Sequence, residues 1–301
     1  MRVLVTGAHG FVGRYLIEEI INMGWGVVTP HVDVSDNFEF WLDPRVTKDI
    51  DAVVHLAALL MIDGHQPKDY FMTNALGTFN ALEFARKNNI RKFIYAMTHS
   101  DTNKSYTVYI REESSQEFGT NSFEKNAIPF IASKIAAANM VDAYTRQGVL
   151  HGVNLRLANI RGFGSKDTKF NSPFHQFIAK AKKAKDIEVW GNPPKTVRDM
   201  IYVKDVVSAI IKAIQAPGAE GWYNIGSGKG LSILQEIEDI VSVFSPVGKS
   251  SKIIMCTDKE EVRKKSCIFL IGKAKKELGW EPAYSYREGL IDMRKYMERG
   301  N

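Results

Sequence analysis

Gly7, Gly10 and Gly13 fall between a β-branched run, Arg2 to Thr6 (RVLVT), and an apolar-periodic stretch, RYLIEEIINMG. Glycines at this spacing let the chain turn tightly and bring its backbone close to a ligand, so that the N–H groups opening the next helix can hold a pyrophosphate. The chemistry indicated is dinucleotide binding, with His9 inside the loop and Arg14 directly after it as nearby basic groups. Cys256 and Cys267, the only cysteines, have no histidine pattern around them, which supports neither a zinc site nor a disulfide framework. No metal is expected.

The glycines need a strand before them and a helix after them, and the flanking sequence supplies both. Further strands fit GVVTPHVDV (26–34), DAVVHLAA (51–58) and KFIYAMT (92–98), with a helix at 70–89 between the last two. A polar loop (99–128), a helix from about Ser133 to Gln147 and a strand at GVNLRLANI (152–160) follow. Strand and helix alternate, which predicts an α/β chain with a doubly wound parallel sheet. Beyond residue 163 the alternation loosens into lysine-rich helices and short strands. We read 1–162, with 190–226 returning to it, as a dinucleotide-binding domain, and 163–189 with 227–301 as a smaller interleaved substrate-binding lobe.

The 301 residues are 45% hydrophobic and 25% charged, which excludes disordered, collagenous and low-complexity classes. The longest apolar run, 53–62, is interrupted by His55 and is too short to cross a bilayer, so no membrane partner is expected. The N-terminal MRVLVTG has no basic segment followed by a cleavable apolar one, and with the sparse cysteines this places the protein in the cytoplasm. Net charge is +6, but residues 1–150 carry 14 Lys/Arg against 17 Asp/Glu and residues 151–301 carry 26 against 17. The basic residues of the second half are scattered rather than clustered with aromatics, which favours an anionic small molecule over nucleic acid.

Taken in order, TGAHGFVG, VVHLAA (53–58), TNALGTFNALEFARKN (73–88), Ser133-Lys134, LRLANIRGFG (155–164), VRDMIYVKDVVSAI (197–210), YNIGSG (223–228) and KKELGWEPAYSYREGL (275–290) resemble the extended short-chain dehydrogenase/reductase family, the nucleotide-sugar epimerases and dehydratases. The resemblance spans nearly the whole chain. It implies a Rossmann-type sheet and an NAD or NADP site formed by Gly7, His9, Gly10, Phe11, Val12, Gly13, His31, Asp33, Val34, Leu56, Ala57, Ala58, Asn74 and Lys134. At the end of the second strand, where the family's acidic residue marks NAD, this chain has Thr29, Pro30 and His31, with Asp33 two positions on, so NAD and NADP both stay open.

In the family a tyrosine exchanges the proton of the reacting hydroxyl, a lysine four residues later lowers its pKa and binds the nicotinamide ribose, and a Ser or Thr bonds the reacting oxygen. Thr98 and Lys134 match the second and third of these residues, but Phe130 stands where the tyrosine belongs. Phenylalanine keeps the ring and lacks the oxygen, a loss worth roughly 10²- to 10⁴-fold in rate on the general acid/base scale. Four explanations fit: an exchanged tyrosine, another base, a protein without turnover, or a displaced motif. Residues 99–107 look like an insertion that brings His99, Tyr106 and Tyr109 toward the substrate. The 4,6-dehydratases of the family follow the threonine with an Asp-Glu pair, and His99-Ser100 here argues against that reaction.

The resemblance further assigns Thr98, Tyr109, Asn159, Arg198 and Arg263 to a nucleotide diphosphate sugar, the arginines gripping the diphosphate. Lys204 and Asp205 are expected to be structural, and Trp280 to pack on the second lobe. Helices 70–89 and 133–147 are those through which relatives pair, implying a homodimer. The expected activity is hydride transfer at sugar C4, as an epimerase or alternatively as a 4-ketoreductase. A silent binding homologue and a reductase of substrates without a nucleotide are the remaining alternatives.

Overall fold

A computed structural model of the chain describes residues 1–30, 33–36, 47–61, 65–102, 109–113, 127–164, 173–191, 193–256 and 267–299. Six parallel strands form the main sheet: β1 (Arg2–Thr6), β2 (Gly26–Val28), β3 (Ala52–His55), β4 (Lys92–Thr98), β6 (His151–Leu157) and β10 (Gly221–Ile225), in the order β2-β1-β3-β4-β6-β10. The chain reverses direction across the sheet between β1 and β3, which opens a crevice at the C-terminal ends of those strands. Val3, Leu4, Val5, Ala52, Val53, Val54, Phe93 and Ile94 are fully buried, as strands covered on both faces must be.

Helices α1 (Phe11–Asn22) and α5 (Val203–Gln215) cover one face, with Val3, Val5, Leu16, Ile20, Val206 and Ile210 in a common core. The other face is covered by α2 (Pro67–Lys87) and α3 (Ala127–Arg146), which pack Phe84, Ala85, Ala137, Ala138 and Val141 against Leu4, Val53 and Phe93. Helix α2 is continuous through Pro67–Tyr70, a π-helical turn Phe71–Leu76 and Gly77–Lys87. A Cβ at Gly77 would lie 2.6 Å from Val34 Cγ2, so the glycine lets the loop after β2 sit directly on the helix.

Three boundaries differ from the sequence reading. Helix α3 already includes Ala127 and so carries Phe130, Ser133 and Lys134 together; Pro129 lies in its first described turn. The second strand ends at Val28, well short of 34. The strand expected at 152–160 breaks at Ala158, whose N–H donates to Ile225 O as the chain leaves the main sheet, and β7 (Asn159–Arg161) resumes beside β9 (Val197–Tyr202).

Around β9 the chain builds three small sheets: β11 (Gly230–Ser232) with β9 and β7, β12 (Ile253–Cys256) with β8 (Ile187–Trp190), and β13 (Ile268–Phe269) with β5 (Tyr109–Ile110). Helices α4 (Pro173–Lys182), α6 (Ile233–Phe244) and α7 (Tyr286–Arg299), a 3-10 turn at His99–Thr102 and a π-helical turn at Ala274–Leu278 are the remaining helical elements among the described residues. Trp280 is buried against α5. Its indole N–H reaches both Asp205 O at 3.1 Å and Ser208 Oγ at 2.9 Å. Asp205 accepts from the N–H groups of Ala283 and Tyr284, and Lys204 pairs with Asp292, so both residues act structurally. Among the described residues no helix is long and apolar enough to cross a membrane, and no cluster of three His, Cys, Asp or Glu could hold a metal ion.

Candidate active site

At the end of β1 the chain turns through Gly7 at φ +68, a left-handed conformation that suits glycine. A Cβ there would lie 2.7 Å from the Ala57 amide and 2.8 Å from the Leu56 carbonyl carbon; at Gly13 it would lie 2.2 Å from Gly7 O. Main chain therefore meets main chain at the crevice. Gly10 N donates to Gly7 O at 2.9 Å, and α1 then starts with no acidic residue in its first turn. The amides of Phe11, Val12 and Gly13 are the leading donors of that helix, and they fit a pyrophosphate. Arg14 Nε is enclosed with no partner among the described residues, and His9 lies exposed on the loop.

Thr6 and His55 join the two strand ends beneath this cradle. Thr6 Oγ1 shares a 2.8 Å bond with His55 Nδ1 and accepts from the Ala57 amide at 3.2 Å. His55 is buried and stacks on Tyr95, with ring centroids 6.0 Å apart. Burial, reinforced by nearby Lys134, pushes its pKa down to about 3, so the ring is neutral. Asp33 is exposed and accepts from both the N–H and the hydroxyl of Ser35, while Val34 is buried in the core. Leu56, Ala57 and Ala58 continue from β3 along the crevice, partly exposed. His31 lies outside the described residues.

The chemistry-bearing side chains converge at the end of β4. Thr98, its last residue, is half-buried and accepts from the Ser100 N–H at 3.2 Å. Two residues earlier on the same strand, Ala96 O accepts a 2.7 Å bond from Lys134 Nζ, which also lies 4.2 Å over the Tyr95 ring. Burial pushes the Lys134 pKa down to about 7. Phe130, one turn earlier on α3, is buried edge-to-face against Tyr70, 6.1 Å between centroids, in a cluster with Ala127 and Ile131. Asn74, in the π-helical turn, grips both the N–H and the C=O of Leu59 and donates to Ser133 Oγ at 3.0 Å; Ser133 in turn donates to Phe130 O. Its amide thus ties the loop after β3 to the helix carrying Phe130 and Lys134.

Beyond Thr98 the surroundings become cationic. His99 is pushed down to about 4, first by burial and then by Arg198 and Arg161; His175 is lowered by burial and by Arg161. Arg161 Nε bonds Glu236 Oε1 at 2.8 Å, and its guanidinium lies 4.9 Å over Phe174. Arg198 is half-buried on β9 next to Asp199, whose carboxylate accepts from Ser227, Gly228 and Phe269 and so fastens the strand to its neighbours. Asn159 Nδ2 donates to Asp199 O at 3.1 Å, which brings Asn159 alongside Arg198. Tyr109 is 58% exposed on β5, opposite Ile268, and no bond in the structure links it to Thr98. Arg263 and Tyr106 lie outside the described residues.

Sequence reasoning missed two ion pairs that shape these walls. Arg156 and Asp101, each almost fully buried, pair at 2.9 Å, holding the turn after Thr98 against β6. Arg161 with Glu236 does the same for β7 and α6. A signal was present for the first, because an arginine inside the apolar run GVNLRLANI needs a buried partner.

The sequence profile of the NAD dependent epimerase/dehydratase family matches residues 3–226. The putative UDP-glucose 4-epimerase of Methanocaldococcus jannaschii is 26% identical over 320 residues, covering 99% of each chain. Among solved structures, UDP-glucose 4-epimerase of Thermotoga maritima with UDP-glucose superposes at TM-score 0.82 and 23% identity, covering 100% of this chain and 99% of its own. RMD of Pseudomonas aeruginosa, complexed with NADPH, gives the same TM-score and coverage at 21% identity. At such identities the structural likeness establishes the fold.

Proposed function

Because the chain belongs to the NAD dependent epimerase/dehydratase family, we propose that it binds a nicotinamide dinucleotide and a nucleotide diphosphate sugar and acts at sugar C4 as an epimerase. The observation carrying this reading is the arrangement at the end of β4. Thr98 Oγ1 and Lys134 Nζ, bonded at 2.7 Å to Ala96 O, approach one strand end next to a glycine cradle that side chains would block.

When bound, the dinucleotide supplies hydride acceptance and donation at its nicotinamide. The chain's own residues do the remaining work. Gly7 and Gly13 admit the pyrophosphate, and the first-turn amides of α1 bind it. Thr98 orients the reacting hydroxyl, while Arg198, Asn159 and the neutral His99 face the anionic end of the substrate. The partner named for the Thermotoga structure, UDP-glucose, makes UDP-hexoses the first substrates to try. NAD leads the cofactors through the family's name, and the unpartnered Arg14 Nε beside the cradle keeps NADP in the comparison.

Phe71, Met72 and Phe79 on α2 and Ile128 on α3 are exposed apolar side chains, and they support pairing of two copies through these helices. Two free cysteines support a reducing, cytoplasmic setting.

The deciding experiment is an NMR assay of the sugar with NAD(H) and NADP(H), run on the native chain beside Phe130→Tyr. The panel comprises UDP-, dTDP-, CDP- and GDP-hexoses and their 4-keto forms. Interconversion of C4 epimers without net consumption of cofactor is the expected result. Stoichiometric consumption of reduced cofactor with a 4-keto sugar replaces the epimerase by a reductase. Binding of both ligands with no turnover by either protein leaves a silent homologue.

A further inference from the structure

The surplus of positive charge in the second half of the chain is not used by the reaction proposed above. Its lysines are scattered along the sequence, and the fold gathers five of them. Helix α4 ends at Lys182 and turns through Lys183, Ala184 and Lys185 toward β8; the N–H groups of Lys183 and Lys185 donate to Lys180 O, and that of Ala184 to Ala181 O. Helix α6 ends at Phe244 and turns through Pro246, Val247, Gly248 and Lys249 toward β12, with Lys249 N–H donating to Pro246 O. The two strands run parallel with Ile187 opposite Ile253, and Ile187 N–H donates to Lys252 O at 2.8 Å. Lys182 Nζ lies 5.9 Å over the Phe244 ring, which ties the two helix ends together. Two helix ends and two strand starts thus bring Lys182, Lys183, Lys185, Lys249 and Lys252 to one end of this layer.

All five lysines are exposed, and none forms an ion pair among the described residues. The carboxylates beside them are Asp186, in the first turn, and Glu188, opposite Ile254 on β12. Val247, at the tip of the second turn, is fully exposed, and Gly248 after it takes the left-handed conformation at φ +76. Ile254 and Met255 on β12, two and three residues past Lys252, are exposed as well. We propose that this end of the molecule docks on an anionic lipid surface, the lysines lying among the headgroups and Val247 entering the interface.

The side chains select a lipid surface over another polyanion. All five cations are lysines, compact charges suited to a diffuse field of headgroups, whereas the planar fork of arginine suits phosphates held in fixed positions. An apolar side chain at the tip gains by leaving water for the headgroup boundary and gains nothing against a solvated phosphate backbone. A basic patch and an apolar insertion, each weak alone, together give reversible attachment. No described helix can cross a bilayer, so the contact is peripheral. This revises the sequence expectation that a membrane is no partner. His175, near the start of α4, senses Arg161 in the candidate site, and Lys182 follows roughly 10 Å along the helix axis, so the docking end and the site lie at opposite ends of that helix. The inference does not depend on the C4 reading.

The test is flotation of the full-length protein with vesicles of phosphatidylcholine alone and of phosphatidylcholine with about one-third phosphatidylglycerol. Capture by the anionic vesicles at least about tenfold above the neutral ones is expected, and its loss at about 0.5 M salt, where surface charges are screened. Glutamine at all five lysine positions should weaken capture at least ~100-fold, each lysine being worth roughly fivefold near the surface. Val247→Ser should weaken it about tenfold, and Val247→Trp should strengthen it. Chemical denaturation checks that each variant is folded, and these exposed positions should leave the midpoint at its native value. Equal capture by the two kinds of vesicle, equal capture of the native and five-glutamine proteins, or a serine variant captured like the native chain overturns the inference. A single-stranded oligonucleotide that binds more tightly than the anionic vesicles also overturns it and assigns the patch to nucleic acid.

Discussion

The glycine cradle and the side-chain cluster around Thr98, Phe130 and Lys134 lie at the ends of neighbouring strands and are made of opposite materials. At β1 and β3 the working surface is main chain, and the fold excludes side chains there: an added Cβ at Gly7 or Gly13 would overlap backbone atoms at 2.7 and 2.2 Å. At β4 and α3 the working surface is side chain, and the fold holds the ring of Phe130 by its edges against Tyr70 without using any polar atom on it. The difference bears on which of the two surfaces packing alone holds fixed. Steric constraint enforces glycine whether or not chemistry occurs, whereas only turnover enforces an oxygen at position 130.

The largest effect should come from adding atoms to the cradle. Gly13→Val would drive side-chain carbon into Gly7 O and Ala8 O, both backbone and unable to rotate away. Overpacking of this kind costs about 3 kcal/mol of stability, and NADH affinity should fall by at least ~100-fold, or about 2.7 kcal/mol. Chemical denaturation and fluorescence titration read the two losses. A valine variant that binds NADH like the native chain would place the dinucleotide elsewhere and dissolve the contrast.

The next effect belongs to the side-chain region and comes from removing a charge. Asp101→Asn leaves the Arg156 guanidinium buried without its counter-ion, among neutral groups: the carbonyls of Arg111 and Glu112, the Asn224 side chain and the Trp222 ring, 4.7 Å away. Breaking a buried pair in this way costs about 3 kcal/mol. The denaturation midpoint should drop accordingly, while NADH affinity should stay within about threefold of native. An equal loss of NADH binding would show that the two regions are one cooperative unit.

How much could be read from sequence follows the same division. Glycine spacing and the run KFIYAMT, which becomes β4 residue for residue, were legible because local sterics and strand burial leave direct marks. Helix α3 was placed too late because Pro129 looked like an extended lead-in, whereas it lies within the helix. The partners of Trp280 were not legible because Asp205 and Ser208 are more than seventy residues away. The Arg156–Asp101 pair, the neutral state of His99 and the depressed Lys134 depend on enclosure by distant elements, and no local pattern encodes that. Lys134 itself could be named from its motif; that it lacks a counter-charge could not.

The smallest effect is the most discriminating about position 130. The Phe130 ring packs edge-to-face on Tyr70 at 71° with Ala127 and Ile131 around it, contacts that a tyrosine ring makes equally well. If the para position opens toward Thr98 and Lys134, the added hydroxyl finds polar neighbours and Phe130→Tyr changes stability by less than about 1 kcal/mol, the scale of one net hydrogen bond. We expect that outcome, read as a Tm within about 4 °C of native. A hydroxyl forced against the apolar side of the cluster would instead lower stability by about 1–3 kcal/mol as an unsatisfied buried group. That result would mean the pocket has closed around a phenyl ring, so that the side-chain region, like the cradle, is sterically committed to the residue it holds.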